Sequence, residues 1–371
     1  MEIKISRFRE TLELLMPAVA RKTTVKSLGY VLLKEGQAIA TDLETMVIAP
    51  MPEADITTLI PIKDMGKVLQ YVQGAERLTL KSTKKKLTLS WSNGSASFPV
   101  EDPETFPAIP EFNPVAEETL NSDILIAGLE ALRSYAATET ERPVLAGITL
   151  LLGDPIRVAA GNGYQMADKE LALTFPMEFA TILPLSSVSV LHHLWKKVPR
   201  TPTPSDSLVP ILTSKKMVTV AHDGEKGLRF QFPKSATAIV KLVSGSPPDW
   251  LKLIPKGKPV LKVQLYAPEL ELAINRVKDI AQSGLGRVRM DFKDSQAIIS
   301  AKGEDLDTES SISTINAEGV PNRFAVNISY IANYIKGKEG IVSISWTGEN
   351  SPVAFQSLNS PRVLIMPMKY D

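Results

Sequence analysis

Three stretches of this chain follow one pattern, and that repetition constrains the fold more than any other feature. In each, a short β-like run passes straight into an amphipathic helix. They are Leu59-Ile60-Pro61-Ile62 followed by KDMGKVLQYVQG, Ile182-Leu183-Pro184-Leu185 followed by SSVSVLHHLWKKV, and Phe324-Ala325-Val326-Asn327 followed by ISYIANYIKG. Pro61, Pro184 and Asn327 stand at nearly even intervals. A second helix-like segment precedes each run, at residues 7–20, 122–137 and 267–282, with similar spacing. Self-similarity held by two landmarks predicts a structural repeat. Strand-like text follows each helix pair: LTLKSTKKKLTLSWSNGSASFPV, MVTVAHDGEKGLRFQF and IVSISWTGENSPVAFQSL. Within it Asn93-Gly94 and Asp223-Gly224 read as hairpin turns. Pro-rich stretches at 99–114 and 245–259 fall near the two thirds and read as module ends, whereas PRTPTPSDS (199–207) reads as a loop inside the middle module. Helices mixed with short antiparallel strands predict an α+β fold, with modules at 1–118, 119–257 and 258–371.

The helix predicted over 186–198 has the clearest faces. Leu191, Leu194, Trp195 and Val198 form one apolar stripe. His193, Lys196 and Lys197 lie about 200° away, because each residue advances a helix by about 100°. Lys63 and Lys67 repeat the arrangement after Pro61. Arg7, Arg9, Arg133, Arg276, Lys278, Lys336 and Lys338 stand at or near the ends of the other helices. Any one helix of this kind can simply be solvated on its charged side. Six together point to a shared cationic surface suited to a phosphate backbone, held by charge and not by base identity. No aromatics interleave the lysines, so single-strand stacking has little support.

Composition excludes more than it assigns. The 371 residues carry 42 Lys+Arg against 41 Asp+Glu, a net charge of +1, which argues against a uniformly basic nucleic-acid binder but not against charges sorted by face. Zero cysteines rule out a disulfide framework and any Cys-based metal site, and three histidines make a histidine-rich centre improbable. His192 and His193 are adjacent, point about 100° apart on a helix and chelate poorly together. No stretch approaches a membrane span and no signal peptide is evident. Nucleotide-binding and hydrolase motifs are absent, Gly161-Asn162-Gly163 reads as a turn, and 303–309 (GEDLDTE) lacks calcium-loop spacing. No cofactor or metal is expected, and no active site.

At this point ISRFRETLELLMPAVARKTTVKSLGYVLL, ATDLETMV, LIPIKDMGKVL and DPETFPAIP together resemble the first module of the bacterial DNA sliding clamp, the β subunit of replicative DNA polymerase III. ERPVLAGITL, GNGYQMA, LPLSSVSVLHHL and PPDWLKLIP resemble its second, and FAVNISYIANYIKG with the closing VLIMPMKY its third. The resemblance spans the whole chain. It implies a non-enzymatic, cytoplasmic processivity factor, a ring made by a head-to-tail homodimer, that encircles double-stranded DNA without regard to sequence. It also implies a polymerase catalytic subunit and a clamp-loader ATPase as partners, and no membrane. An alternative from another class is a peptide-binding adaptor that kept the clamp fold without closing around DNA.

Partners of that family insert a short hydrophobic peptide into a pocket. The resemblance places the pocket on Leu145, Gly163, Met166, Pro248, Leu253, Tyr330, Leu364, Met366, Pro367 and Met368. Methionine adapts its shape, which suits a site that takes many peptides. The sequence departs from the family pattern at Gln165, Lys252 and Lys369, where arginine is frequent, so the polar rim is changed while the apolar floor is kept. Near DNA the resemblance places Lys22, with Arg21 and Lys26 adding charge; with Lys63, Lys67, Arg133, His193, Lys196 and Lys197 these form the expected DNA-facing set. For the dimer seam it matches Phe106 and Ile280.

Overall fold

In the computed structural model, residues 1–20, 23–73, 77–83, 86–138, 142–198, 216–224 and 227–369 are described. Arg21, Lys22 and the loop expected at 199–207 lie outside them. The order of elements is the same three times over. The first round is β1 (Glu2–Lys4), α1 (Ile5–Leu15), β2 (Val31–Lys34), β3 (Gln37–Thr41), β4 (Thr45–Pro50), β5 (Thr58–Ile60), α2 (Ile62–Leu69), β6 (Arg77–Ser82), β7 (Lys86–Trp91) and β8 (Gly94–Pro99). The second is β9 (Ala116–Asn121), α3 (Ser122–Leu132), β10 (Gly147–Leu152), β11 (Arg157–Gly161), β12 (Gln165–Glu170), β13 (Phe179–Pro184), α4 (Leu185–Lys197), β14 (Met217–His222), β15 (Gly227–Gln231) and β16 (Thr237–Lys241). The third is β17 (Leu261–Tyr266), α5 (Ala267–Ser283), β18 (Arg287–Lys293), β19 (Gln296–Lys302), β20 (Asp307–Ser313), β21 (Asn316–Glu318), β22 (Asn322–Asn327), α6 (Ile328–Ile335), β23 (Ile341–Trp346), β24 (Val353–Ser357) and β25 (Arg362–Ile365). Only β21 has no counterpart in the other rounds. The fold is α+β, with antiparallel sheets, as the alternating patterns predict.

Two compact units contain these elements. The first comprises 1–130, 152–156 and 172–243; the second comprises 131–151, 157–171 and 244–371. In the first unit one sheet runs β1-β6-β7-β8 and another β5-β2-β3-β4-β16-β15-β14-β9. In the second unit strands run β10-β11-β12-β25-β24-β23-β17-β21, and a separate sheet runs β20-β19-β18-β22. Thus β4 of the first round pairs with β16 of the second, and β12 of the second with β25 of the third. The β8 and β20 edges have no such neighbour among the described residues.

Strands with period-two burial explain the sheets. Leu78 and Leu80, Leu87 and Leu89, and Val342 and Ile344 are buried while their neighbours are more exposed. Helices cover the inner face: α5 sends Leu270, Ala273, Ile274 and Val277 inward at helical spacing. On α4 Leu191, Leu194 and Val198 are buried, but Trp195 is half-buried, its indole N–H donating to Asp123 Oδ1 at 2.9 Å. Lys216 Nζ donates to the Trp195 carbonyl at 2.7 Å and lies 4.8 Å from the centre of its ring, closing the helix end. Helix α6 opens on Asn327, whose side chain accepts from the Ser329 N–H at 2.8 Å. The hairpins differ in detail from the sequence expectation. Trp91 pairs with Gly94, so Ser92 and Asn93 make the two-residue turn and Gly94 is the first strand residue. Gly94 is needed for another reason, since a Cβ there would stand 2.7 Å from the Trp91 ring.

Candidate functional site

The β3–β4 and β11–β12 turns fix the register between rounds. Asp42 Oδ1 accepts from the backbone N–H of Glu44 and Thr45 at 3.0 and 2.7 Å. Asn162 Oδ1 accepts from Tyr164 and Gln165, both at 3.0 Å. Both are side-chain turns of the kind short polar residues favour, with a positive φ at the following residue, 76° at Leu43 and 94° at Gly163. Gly161-Asn162-Gly163 is therefore a turn. The same backbone bond closes the third copy, from Gly303 N–H to the Leu306 carbonyl.

With register fixed, the outer faces of the three rounds can be compared residue by residue. In the first, Leu32 opposes Ile39, and Leu32, Ile39, Met46 and Leu59 form a closed apolar cluster under Phe106, with Tyr30 and Ile239 packed against it. The matching second-round positions are Gly147 for Tyr30, Thr149 for Leu32 and Ala159 for Ile39, while Met166 and Leu364 stand where Met46 and Ile239 do. Three large side chains become small. The floor survives as Ala159, Met166 and Leu364 under Trp250, and above it opens a cavity of about 680 Å³. In the third round Arg287, Arg289, Ser300 and Asp307 occupy the same positions, and the face is charged. Among the described residues the second-round face offers an open apolar cavity, and trimming by Gly147, Thr149 and Ala159 is the physical reason.

Of the ten expected pocket residues, Leu145, Gly163, Met166, Pro248, Leu253, Leu364 and Met366 line this cavity. Tyr330, Pro367 and Met368 are outside its lining. Tyr330 stands next to it, its hydroxyl accepting from Asn162 Nδ2 at 3.3 Å. Met368 pairs instead with Ala325, its N–H donating to that carbonyl at 2.8 Å. Trp250, Ile254, Thr149 and Ala159 line the cavity too and are absent from the sequence expectation. Comparing the rounds through their Asp42 and Asn162 turns would have found the last two. Tyr164 (68% exposed), Leu253 and Met366 leave apolar surface open at the mouth, the kind of surface that marks an interaction site. Lys252 is bound to Asp249 at 2.8 Å, and that carboxylate holds its ammonium above the usual lysine range.

The expected DNA-facing residues are divided. Lys67 contacts Asp64 at 2.8 Å and Lys26 reaches Glu101 at 3.9 Å. His193 Nε2 lies 2.8 Å from the Glu13 carbonyl, and Lys197 binds the Glu13 carboxylate at 2.7 Å. Lys63, Lys196 and Arg133 are exposed. Arg7 and Arg9 serve the fold: Arg9 caps the end of α2 through the carbonyls of Leu69 and Val72, and Arg7 donates to the Pro50 carbonyl. For the expected seam, Phe106 is only 7% exposed and sits in the cluster just described, because the Pro-rich segment folds it back over its own sheet. Ile280 is half-buried on α5. No group of acids, histidines or cysteines able to hold a metal occurs among the described residues, nor any helix long and apolar enough to cross a membrane.

The fold that these features build is that of the bacterial sliding clamps. The DNA polymerase III subunit beta of Pseudomonas aeruginosa superposes with a TM-score of 0.86 at 18% identity, over 100% of both chains. The Thermotoga maritima beta subunit gives 0.84 at 19%, over 100% of this chain and 99% of its own. A Pseudomonas aeruginosa clamp solved with griselimycin gives 0.83 at 18%, over 100% and 99%. In sequence, the chain is 23% identical over 336 residues to the beta sliding clamp homolog GriR of Streptomyces muensis, covering 85% of this chain and 82% of that protein. No protein-family model matches. The chain thus has the sliding-clamp fold from end to end, and the resemblance read in its sequence holds across the whole architecture.

Proposed function

We propose that this protein is a DNA sliding clamp: a non-catalytic, cytoplasmic ring that encircles double-stranded DNA and tethers a polymerase and other partners through the apolar cavity of its second round. The observation that carries this reading is the repeated strand pairing. β16 pairs with β4 through Val240–Thr45 and Ile239–Met46, and β25 with β12 through Ile365–Gln165 and Leu364–Met166. The same step applied once more pairs β8 with β20, and each of these ends its sheet without a further neighbour among the described residues. In one copy they are the first and last of the series, so the pairing is made between two copies, head to tail. Head-to-tail pairing either closes into a ring or runs on as a filament, and two copies of three modules close it.

In matching register Phe98 of one copy opposes Leu306 of the other, and Ser97 opposes Asp307. Leu306 is exposed in the single chain, and Lys86 at the end of β7 is brought toward the acidic 304–309 turn. A closed ring retains DNA topologically, so modest phosphate contacts suffice and sliding is not obstructed. A clamp loader must open it. The test uses the loader-charged protein on nicked circular and on linear DNA. Retention on the circle with rapid loss from linear ends is expected; equal lifetimes on both would exclude encirclement.

The alternative, an adaptor that binds peptides without closing around DNA, draws on one observation. Glu13, Asp64 and Glu101 already engage Lys197, Lys67 and Lys26. A monomer at micromolar concentration that still binds peptides would favour it.

A further inference from the structure

Gln165 stands at the edge of the cavity and is unlike the polar residues around it. It lines the cavity, is 6% exposed, and its Oε1 is buried without a hydrogen-bond partner among the described residues. A buried polar atom left unpaired is costly and rare enough to need a reason. The first round supplies the contrast. There Thr45 occupies the matching position, and its hydroxyl donates to Ser187 Oγ at 2.7 Å, on the third residue of α4. The third residue of α6 is Tyr330, but its hydroxyl is engaged by Asn162. What is satisfied internally in one round is left open in the other, beside the apolar cavity.

We infer that Gln165 sets the polar selectivity of this cavity, favouring partner segments that present a neutral N–H or O–H donor over segments that present a carboxylate. This rests on the peptide-pocket reading above. An unpaired amide oxygen accepts a proton donor, which a carboxylate does not carry, so a carboxylate that took the amide N–H alone would leave Oε1 unpaired. A cationic donor is disfavoured as well, because Lys252 and Lys256 also line the cavity and a further buried charge would lack a partner. Lys252 offers an acidic partner little compensation, since Asp249 holds it.

The test is selection from a random heptapeptide phage library on the immobilised full-length protein, wild type against Gln165→Leu and Gln165→Arg. Gln165→Met serves if the leucine variant lowers the melting temperature. Wild type is expected to enrich peptides with a neutral polar residue beside their apolar anchors and to deplete Asp and Glu there by about tenfold, the size of one hydrogen bond. Gln165→Leu should erase that preference, and Gln165→Arg should turn it toward Asp and Glu. Wild-type peptides rich in Asp or Glu, or identical preferences in all variants, would overturn the role of Gln165 and leave the pocket standing. A library yielding no binder to the wild-type chain would overturn the pocket reading and this inference together.

Discussion

His222 shows how one buried residue ties the fold to pH. Its ring is fully buried, stacks on Phe179 at 4.4 Å between centroids, lies near Phe175, and accepts the Gly224 N–H at Nδ1. Nε2 has no partner among the described residues, and burial pushes the pKa below its ordinary 6.5, with Asp223 opposing. Above pH 6.5 the ring is neutral in folded and unfolded chains alike, and no penalty arises. As pH falls through that value the unfolded chain takes the proton first, so stability declines until the folded-state pKa is reached. Urea midpoints at pH 7.5 and 5.5 should therefore separate more in wild type than in His222→Phe, and equal separations would remove His222 from the account. Glu13 gives a second prediction at this scale. Its contacts with Lys197 and His193 are exposed or nearly so, and pairs of that kind add roughly 0–1 kcal/mol. Glu13→Gln should barely move the melting temperature. If α4 faces DNA, freeing Lys197 should also raise non-specific affinity and steepen its salt dependence by about one ion, as read by titration across salt concentrations.

Among the elements, much was legible from sequence and the rest was lost for definable reasons. The paired helices, the alternating strands and the threefold order could be read because each is a local period: 3.6 residues, two residues, or the length of a repeat. The pocket floor at Met166 and Leu364 came from the resemblance and lines the cavity. Thr149 and Ala159 carry no local signal, because a small residue in a strand is informative only beside the large one at the same register elsewhere. Phe106, which the resemblance matches to the seam, packs in the single chain against its own sheet after the Asp102 turn, whose side chain accepts from Glu104 N–H. Pairings such as Lys197 with Glu13 join residues far apart in sequence, so helix faces alone cannot foretell them. The register comparison makes its own prediction. Restoring the first-round residues by Thr149→Leu with Ala159→Ile should refill the cavity without deleting any packing. Stability should change by less than about 1–3 kcal/mol, the cost of moderate overpacking. Partner-peptide binding should fall at least tenfold by fluorescence anisotropy. Undiminished binding would place the peptide elsewhere.

For the molecule as a whole, the balanced charge ceases to bear on DNA binding once charges are sorted by element. Lys63, Lys67, Lys196 and Lys197 lie on helices, while Glu304, Asp305 and Asp307 lie on or beside an open strand edge. That edge is where assembly can be tested without disturbing either core. Ser97 is exposed on β8, and in the proposed head-to-tail dimer, with the register carried over from β16 and β25, it would oppose Asp307 of the second copy. Like charges directly opposite on paired strands destabilise and unlike charges stabilise, each by roughly 0.2–1 kcal/mol. A closed dimer has the contact twice, so the effect on the dimer dissociation constant is roughly two- to thirtyfold. Ser97→Asp should weaken the dimer and Ser97→Lys should strengthen it, both measured by sedimentation at low salt. The decisive member of the set is Ser97→Asp combined with Asp307→Lys. It reverses the pair without touching a buried side chain, so it should recover the affinity that Ser97→Asp loses, whereas simple surface damage would make the double variant worse. Recovery would establish both the head-to-tail direction and the register, because parallel pairing or a one-residue slip would place the two substituted side chains out of reach of each other.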